Sequence, residues 1–295
     1  MAKSMTGFGR SEKVFDTRRY SVEIKSVNSR FCDINIRCPK LFNFADAVIR
    51  KTISDSLTRG KVDVFINFED SGESGSEVTV NRALALAYSR AMEQIAELTG
   101  RADETSVSRI GMFPDVLSSR QVQLDEEVLS AELDSALREA LEGMNAMRSA
   151  EGAALVTDLM RKIESLETLK NEIADRAPSV VDDYRTRLSE RVDQILSDAN
   201  RAFYDESRLA AEVAVFADKC AVDEELKRLG SHFAQGRKIL SEDGPVGKKM
   251  DFLIQEINRE TNTIGSKAND IEITNRVLAM KNLIEEMREQ IQNLV

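Results

Sequence analysis

The sequence predicts an α+β protein: an N-terminal strand-rich sheet with covering helices, followed by a mainly helical C-terminal part with a projecting long antiparallel helical hairpin. Three observations lead there. Within about the first 70 residues, apolar and polar side chains alternate with period two in several segments, the pattern of strands with one buried face. From about residue 125 the apolar residues recur instead at helical spacing, in long charge-rich stretches. Near the end, DFLIQEINRETNTIGSK (251–267) is an amphipathic helix whose apolar side carries carboxylates.

Taken in order, YSVEIKSVN and CDINIRCP read as strands, with Asn28-Ser29 suited to a turn between them. LFNFADAVIRKTISDSLTRG reads as a helix stopping at Gly60, a residue type that readily takes the left-handed conformation at a helix end. KVDVFINFE is a third strand with Val62, Val64, Ile66 and Phe68 on one side. The run DSGESGSE (70–77) is a solvated loop, and Asn81 caps a helix reaching about Leu98. Residues 126–178 form a long helix ended by Pro178, and 180–199 form a second. Their short separation predicts that they pair as the antiparallel hairpin. A helix from about Glu206 to Leu240, a Gly/Pro loop (SEDGPVGKK), the carboxylate helix and a final amphipathic helix close the chain. The expected divisions are an N-terminal α+β domain (1–124), a helical arm (125–205) and a C-terminal helical domain (206–295).

Composition narrows the function. With 42% hydrophobic and 31% charged residues the chain is globular in character. No stretch has the length and apolarity of a membrane-spanning helix, the N-terminus lacks a signal-peptide core, and Cys32, Cys38 and Cys220 have no zinc-type spacing. Reduced thiols in the cytoplasm are the expectation. A net charge of −10 argues against nonspecific coating of nucleic acid. Residues 1–64, however, hold 13 Lys/Arg against 7 Asp/Glu, so a basic surface for phosphates could sit beside an acidic body. A solvated face would show the same imbalance.

The chemistry concentrates near the C-terminus. At about 100° per residue from Asp251, Phe252, Leu253, Ile257 and Ile264 fall at roughly 100, 200, 240 and 220°, with Glu256 near 140° and Glu260 near 180° inside that apolar arc. A carboxylate carried inward needs a cation, a hydrogen-bond donor or a metal ion. An internal salt bridge to Arg259 or Lys267 would serve, as would a divalent-metal or acid/base site. His232 is the single histidine, and Glu225 lies on nearly the same face of its helix, with Arg228 between them. A lone histidine is also compatible with a surface or satisfied core position. Phosphate-binding loops of the GxxxxGK[ST] or GxGxxG type, HExxH and GxSxG are all absent, and few aromatics argue against base stacking as the main recognition mode. Lys248 and Lys249 of GPVGKK suit an anionic ligand or plain solvent. Acidic hard-cation donors, a histidine and flanking Arg/Lys fit a phosphodiester-cleaving site.

At these residues the chain resembles the YicC/YloC family. The segments that carry the resemblance are SMTGFGR, EIKSVNSRFCDINIRCP, LTRGK, MRSAEG, GPVGKKMDFLIQEINRETNTIGSKANDIEIT and LIEEMREQIQN, in matching order from end to end. The resemblance implies a bacterial cytosolic endoribonuclease, dependent on a divalent metal, that assembles as a homo-oligomer, a hexamer enclosing RNA. Its C-terminal signature falls on Glu225, Arg228, His232, Asp251, Gln255, Glu256, Arg259 and Glu260.

The combined expectation is a metal-dependent RNA phosphodiesterase. Asp251, Glu256 and Glu260 are the candidate ligands for Mn²⁺ or Mg²⁺, with His232 a possible addition. His232 or Glu225 manages protons, and Arg228, Arg259 and Lys267 stabilise charge on the reacting phosphoryl group. Arg30, Arg59 and Lys61 guide the RNA backbone, with Lys248, Lys249 and Lys267 as further phosphate contacts. Two rival readings are an RNA-binding adaptor that acts with another ribonuclease, and a structural oligomer whose inward acids pair with Arg or Lys.

Overall fold

The computed structural model describes residues 2–29, 31–57, 59–72, 77–102, 105–120, 125–195, 206–242 and 244–295. Four strands form the N-terminal sheet in the order β1-β2-β4-β3: β1 (Gly7–Phe15), β2 (Arg18–Val27), β3 (Cys32–Arg37) and β4 (Gly60–Asp70). The period-two pattern is realised as expected. Tyr20, Val22 and Ile24 of β2 and Val62, Val64 and Ile66 of β4 are all buried, and antiparallel pairing sets Ile24 opposite Val64 and Val22 opposite Ile66.

Asn28-Ser29 do not join two neighbouring strands. β4 lies between β2 and β3, and β3 runs parallel to β4, with Ile34 beside Val62. A parallel pair needs a crossover over the sheet face. Here it is a 3-10 turn (Lys40–Ala45) and helix α1 (Asp46–Ser56), which lay Phe42, Ile49 and Ile53 onto the sheet's buried face. The helix ends at Ser56, and Gly60 is the first residue of β4, with φ 128.

Strand β1 has no expectation behind it, and its glycines explain why. A Cβ on Gly9 would lie 2.0 Å from the Ala140 carbonyl oxygen and 2.8 Å from the Met144 nitrogen. Two residues along, the Ser11 hydroxyl donates to the Ala136 carbonyl at 2.6 Å. The strand lies directly on the backbone of the long helix α4 (Glu126–Ile195), and only glycine permits that approach.

Helix α4 is one continuous element of 70 residues, roughly 105 Å at 1.5 Å per residue. The expected break at Pro178 does not occur. An interior proline costs about 3 kcal/mol, but Ile173 and Val180 are buried on either side of it, each contributing about 1.5–3 kcal/mol. Arg176 also bridges it, bonding Asp183 on its own helix at 2.7 Å and Asp270 at 2.9 Å. The antiparallel partner is therefore α5 (Glu206–Lys219), whose Phe216 stacks on Tyr184 with ring centroids 3.7 Å apart.

The predicted helix over about 206–240 is two helices, α5 and α6 (Asp223–Leu240). Lys219 in the last turn of α5, and Asp223, Glu224 and Glu225 in the first turn of α6, complement the two helix dipoles that meet at the break. Helices α7 (Gly247–Lys267) and α8 (Ile271–Ile291) follow, and the second core joins α6, α7 and α8 to the distal half of α4. The remaining elements pack on one another: β5 (Glu77–Val80) pairs with β6 (Leu117–Arg120), flanking α2 (Arg82–Thr99, capped by Asn81) and the short α3 (Val107–Gly111). Of the expected loop at 70–77, residues 73–76 lie outside the described residues. No helix among the described residues is long and apolar enough to cross a membrane.

The chain ends are joined. Lys3 and Val295 exchange backbone hydrogen bonds at 2.9 and 3.0 Å, the Met5 nitrogen donates to Asn293 at 2.8 Å, and the Asn28 side chain donates to the Gln292 carbonyl at 2.8 Å. This clamp brings the end of the sheet, where β2 finishes and β4 begins, against the start of α7.

Candidate functional site

The expected site residues fall into two groups, on different faces of α7. The first lies between α6 and α7, which run antiparallel. Three contacts fix their register: Lys267 Nζ donates to Glu225 Oε1 at 2.8 Å, Arg228 Nη1 donates to Glu260 Oε1 at 3.3 Å, and Gly236 packs against Leu253. His232 sits midway between Arg228 and Gly236 on α6, which puts it at the level of Glu256 along α7.

Glu260 is buried, as the helical wheel requires, and its compensation is Arg228 rather than Arg259 or Lys267. The other side of the Arg228 guanidinium bonds Glu224. Glu225 is buried as well. Burial pushes its carboxyl up, but the Lys267 hydrogen bond and charge, its own backbone N–H and the Arg228 charge outweigh that and hold it below the usual carboxylate range. Glu225 Oε2 and His232 Nδ1 are buried atoms with no hydrogen-bond partner. Glu256 is half-buried, with Arg259 Nη1 only 3.8 Å away, and Arg259 itself is largely exposed.

The second group surrounds a cleft of about 460 Å³ at the start of α7. Asp251 lines it, along with Arg59, Lys248 and two residues that sequence reasoning passed over, Asn28 and Arg288. Asp251 Oδ2 accepts from Gln255 at 3.1 Å. Nothing in the sequence periodicity places Arg288 opposite Lys248; the available signal was its position within LIEEMREQIQN, one of the segments carrying the family resemblance.

Of the remaining expected cations, Lys61 and Lys249 are apart from both groups, while Lys267 belongs to the first. Lys61 is exposed on β4, Lys249 pairs with Glu242 at 2.6 Å, and Lys267 is committed to Glu225 and to the Ala221 carbonyl at 3.1 Å. Arg30 lies outside the described residues. The three acids expected as metal ligands do not gather: Asp251 lines the cleft, Glu260 pairs with Arg228 of α6, and Glu256 lies near Arg259 on its own helix. Among the described residues no three His, Cys, Asp or Glu side chains are grouped as one ion would require. The donors therefore do not fit a closed metal site within one chain.

Chemically, the α6–α7 face offers an imidazole nitrogen uncommitted to structure, carboxylates, and a half-exposed guanidinium held between two of them. The cleft offers converging cations.

Comparison with known proteins agrees along the whole chain. Residues 2–157 match the family described as endoribonuclease YicC-like, N-terminal region, and residues 173–295 match endoribonuclease YicC-like, C-terminal. The chain is 40% identical over 294 residues to a Clostridioides difficile (strain 630) protein named "Probable endoribonuclease YicC". It is 33% identical over 294 residues to a Haemophilus influenzae protein of the same name. Both alignments cover 100% of each chain.

Proposed function

The chain belongs to the YicC-like endoribonuclease family, and from that membership we propose that it hydrolyses internal phosphodiester bonds of RNA in a divalent-metal-dependent reaction. The observation that carries this reading is full-length similarity to two relatives named as probable endoribonucleases. The geometry adds which residues act. His232, whose Nδ1 has no structural partner, carries the proton to or from the reacting oxygen. Arg228, half-exposed beside Glu260, stabilises charge on the phosphoryl oxygens. Glu225, held ionised by its bond to Lys267, fixes the register of the α6 segment that carries His232.

The carboxylates of α7 are hard oxygen donors of the kind Mn²⁺ and Mg²⁺ prefer, which is the ground for including the cation. Assembly as a homo-oligomer, a hexamer around RNA, belongs to the same reading. It lets the basic N-terminal regions of a net acidic chain converge on one strand.

The test is cleavage of a structured RNA by purified full-length protein in Mn²⁺ or in EDTA, alongside Glu260→Gln and His232→Ala. Cleavage in Mn²⁺, abolished by EDTA and lowered about 100-fold or more by either substitution, is the expected result. RNA binding without hydrolysis by the wild type would make the protein an adaptor instead.

A further inference from the structure

The cleft at the start of α7 carries more cationic charge than the structure neutralises. Arg59 enters it from the turn before β4, Lys248 from the first turn of α7 and Arg288 from the last turn of α8. Among the described residues neither Arg59 nor Lys248 has an ion-pair partner, and Arg288 has only Glu285, 3.7 Å away on its own helix. Asp251 is the one acid in the lining, so three cations face a single carboxylate there.

Solvent does not relieve this arrangement fully. Arg59 Nε is buried with no hydrogen-bond partner, a state that costs stability unless an acceptor arrives. The first residue of α7, Gly247, lines the same cleft, and the helix start has no side-chain cap, so the positive end of its dipole adds to the field there. The volume, about 460 Å³, falls in the range of small-ligand sites and admits one nucleotide.

The lining is assembled from distant parts of the chain. Met5, Asn28, Arg59, Lys248 and Arg288 come respectively from SMTGFGR, EIKSVNSRFCDINIRCP, LTRGK, GPVGKKMDFLIQEINRETNTIGSKANDIEIT and LIEEMREQIQN, five of the segments that carry the family resemblance. The end-to-end clamp of the chain holds them together.

We propose that this cleft is a phosphodiester subsite for the RNA strand, in which Arg59, Lys248 and Arg288 grip one backbone phosphate at a distance from the α6–α7 face. The proposal rests on the ribonuclease reading and names where the substrate is held, with Arg288 as a positioning residue. The cleft needs no metal to bind an anion, so binding is separable from cleavage.

The experiment measures fluorescence anisotropy of a labelled single-stranded RNA with the full chain in EDTA, across a series of salt concentrations. Wild type, Lys248→Gln, Arg288→Gln and, as a charge-matched control, Lys219→Gln at an exposed position in the last turn of α5 are compared. Thermal melts establish that each variant is folded. Both cleft variants are expected to bind roughly three- to tenfold more weakly, as for loss of one charge-assisted contact. Each should also reduce the slope of log K against log salt by about 0.7, the signature of one lost phosphate contact on a single strand. Folded cleft variants with wild-type affinity and slope would overturn the proposal, as would a wild type with no measurable RNA binding in EDTA. If the wild type cleaves RNA while the cleft variants bind normally, only the cleft assignment fails. If it neither binds nor cleaves, the ribonuclease reading fails with it.

Discussion

Replacing Lys267 with methionine removes an ammonium while keeping an unbranched side chain in place, and the structure gives the consequence a sign as well as a size. Glu225 Oε1 accepts from Lys267 Nζ at 2.8 Å, and Glu225 Oε2 is already buried without a partner. Loss of a hydrogen bond between charged groups costs about 1.5–3 kcal/mol, and stranding a fully buried ion costs about 3–5 kcal/mol. The Lys267 side chain is 35% exposed, so solvent screening favours the lower figure, and about 2 kcal/mol at neutral pH is expected.

The pH dependence is the sharper test. In the wild type, desolvation raises the Glu225 pKa, but the Lys267 hydrogen bond, the backbone and the nearby positive charges bring it below 4.5. A lowered folded-state value stabilises the protein above the unfolded value, and that contribution is lost as pH falls through the folded one. Without Lys267, desolvation is opposed only by the backbone hydrogen bond and the Arg228 charge, so the folded value rises above that of the wild type. Acidification then weakens the wild type more than the variant, so the gap between them narrows. Thermal unfolding should show a deficit of about 4–8 °C at neutral pH, taking about 2–4 °C per kcal/mol, and a distinctly smaller one near pH 3, about one unit below the ordinary glutamate value. A deficit of equal size at both pH values would refute the electrostatic argument and assign Lys267 a packing role.

Other outcomes are also expected. Gly9→Ala sets a methyl group 2.0 Å from the Ala140 carbonyl oxygen, so β1 must lift from α4 and the 2.6 Å Ser11 bond is lost with it. Overpacking of about 1–3 kcal/mol and a hydrogen bond of about 1 kcal/mol predict a destabilisation of roughly 3 kcal/mol by denaturant melt. Gly143→Ala, exposed on the same helix with the Gly9 Cα 4.0 Å away as its nearest neighbour, should instead stabilise by about 0.5–1 kcal/mol. A destabilised Gly143→Ala would show that helix and strand are closer than the structure places them.

The legible parts of the fold were those governed by local periodicity. Val62, Val64 and Ile66 alternate because one face of β4 is buried, and Asn81 caps α2 because its side chain accepts from the Leu84 nitrogen. The illegible parts depended on partners distant in the chain. The β3–β4 pairing, the glycine-dependent approach of β1 to α4, and the passage of α4 through Pro178 are each stabilised by contacts that no local window contains. The C-terminal site divides in the same way. Inward placement of Glu260 followed from the 3.6-residue repeat. That Arg228 compensates it, that Lys267 serves Glu225 instead, and that Asp251 lines one cleft with Arg59 and Arg288 followed only from how α6 and α8 pack around α7.

The sequence by itself determined the α+β class and the family to which the chain belongs, and it nominated candidate site residues, because residue type and helical or strand period are properties of neighbours along the chain. Tertiary structure alone decided how those side chains are partnered and that they occupy two separate faces of α7. Ion pairing and cleft formation depend on separations of a few ångströms between residues as far apart as Arg59 and Arg288, and those separations exist only once the sheet, the long helix and both chain ends have docked.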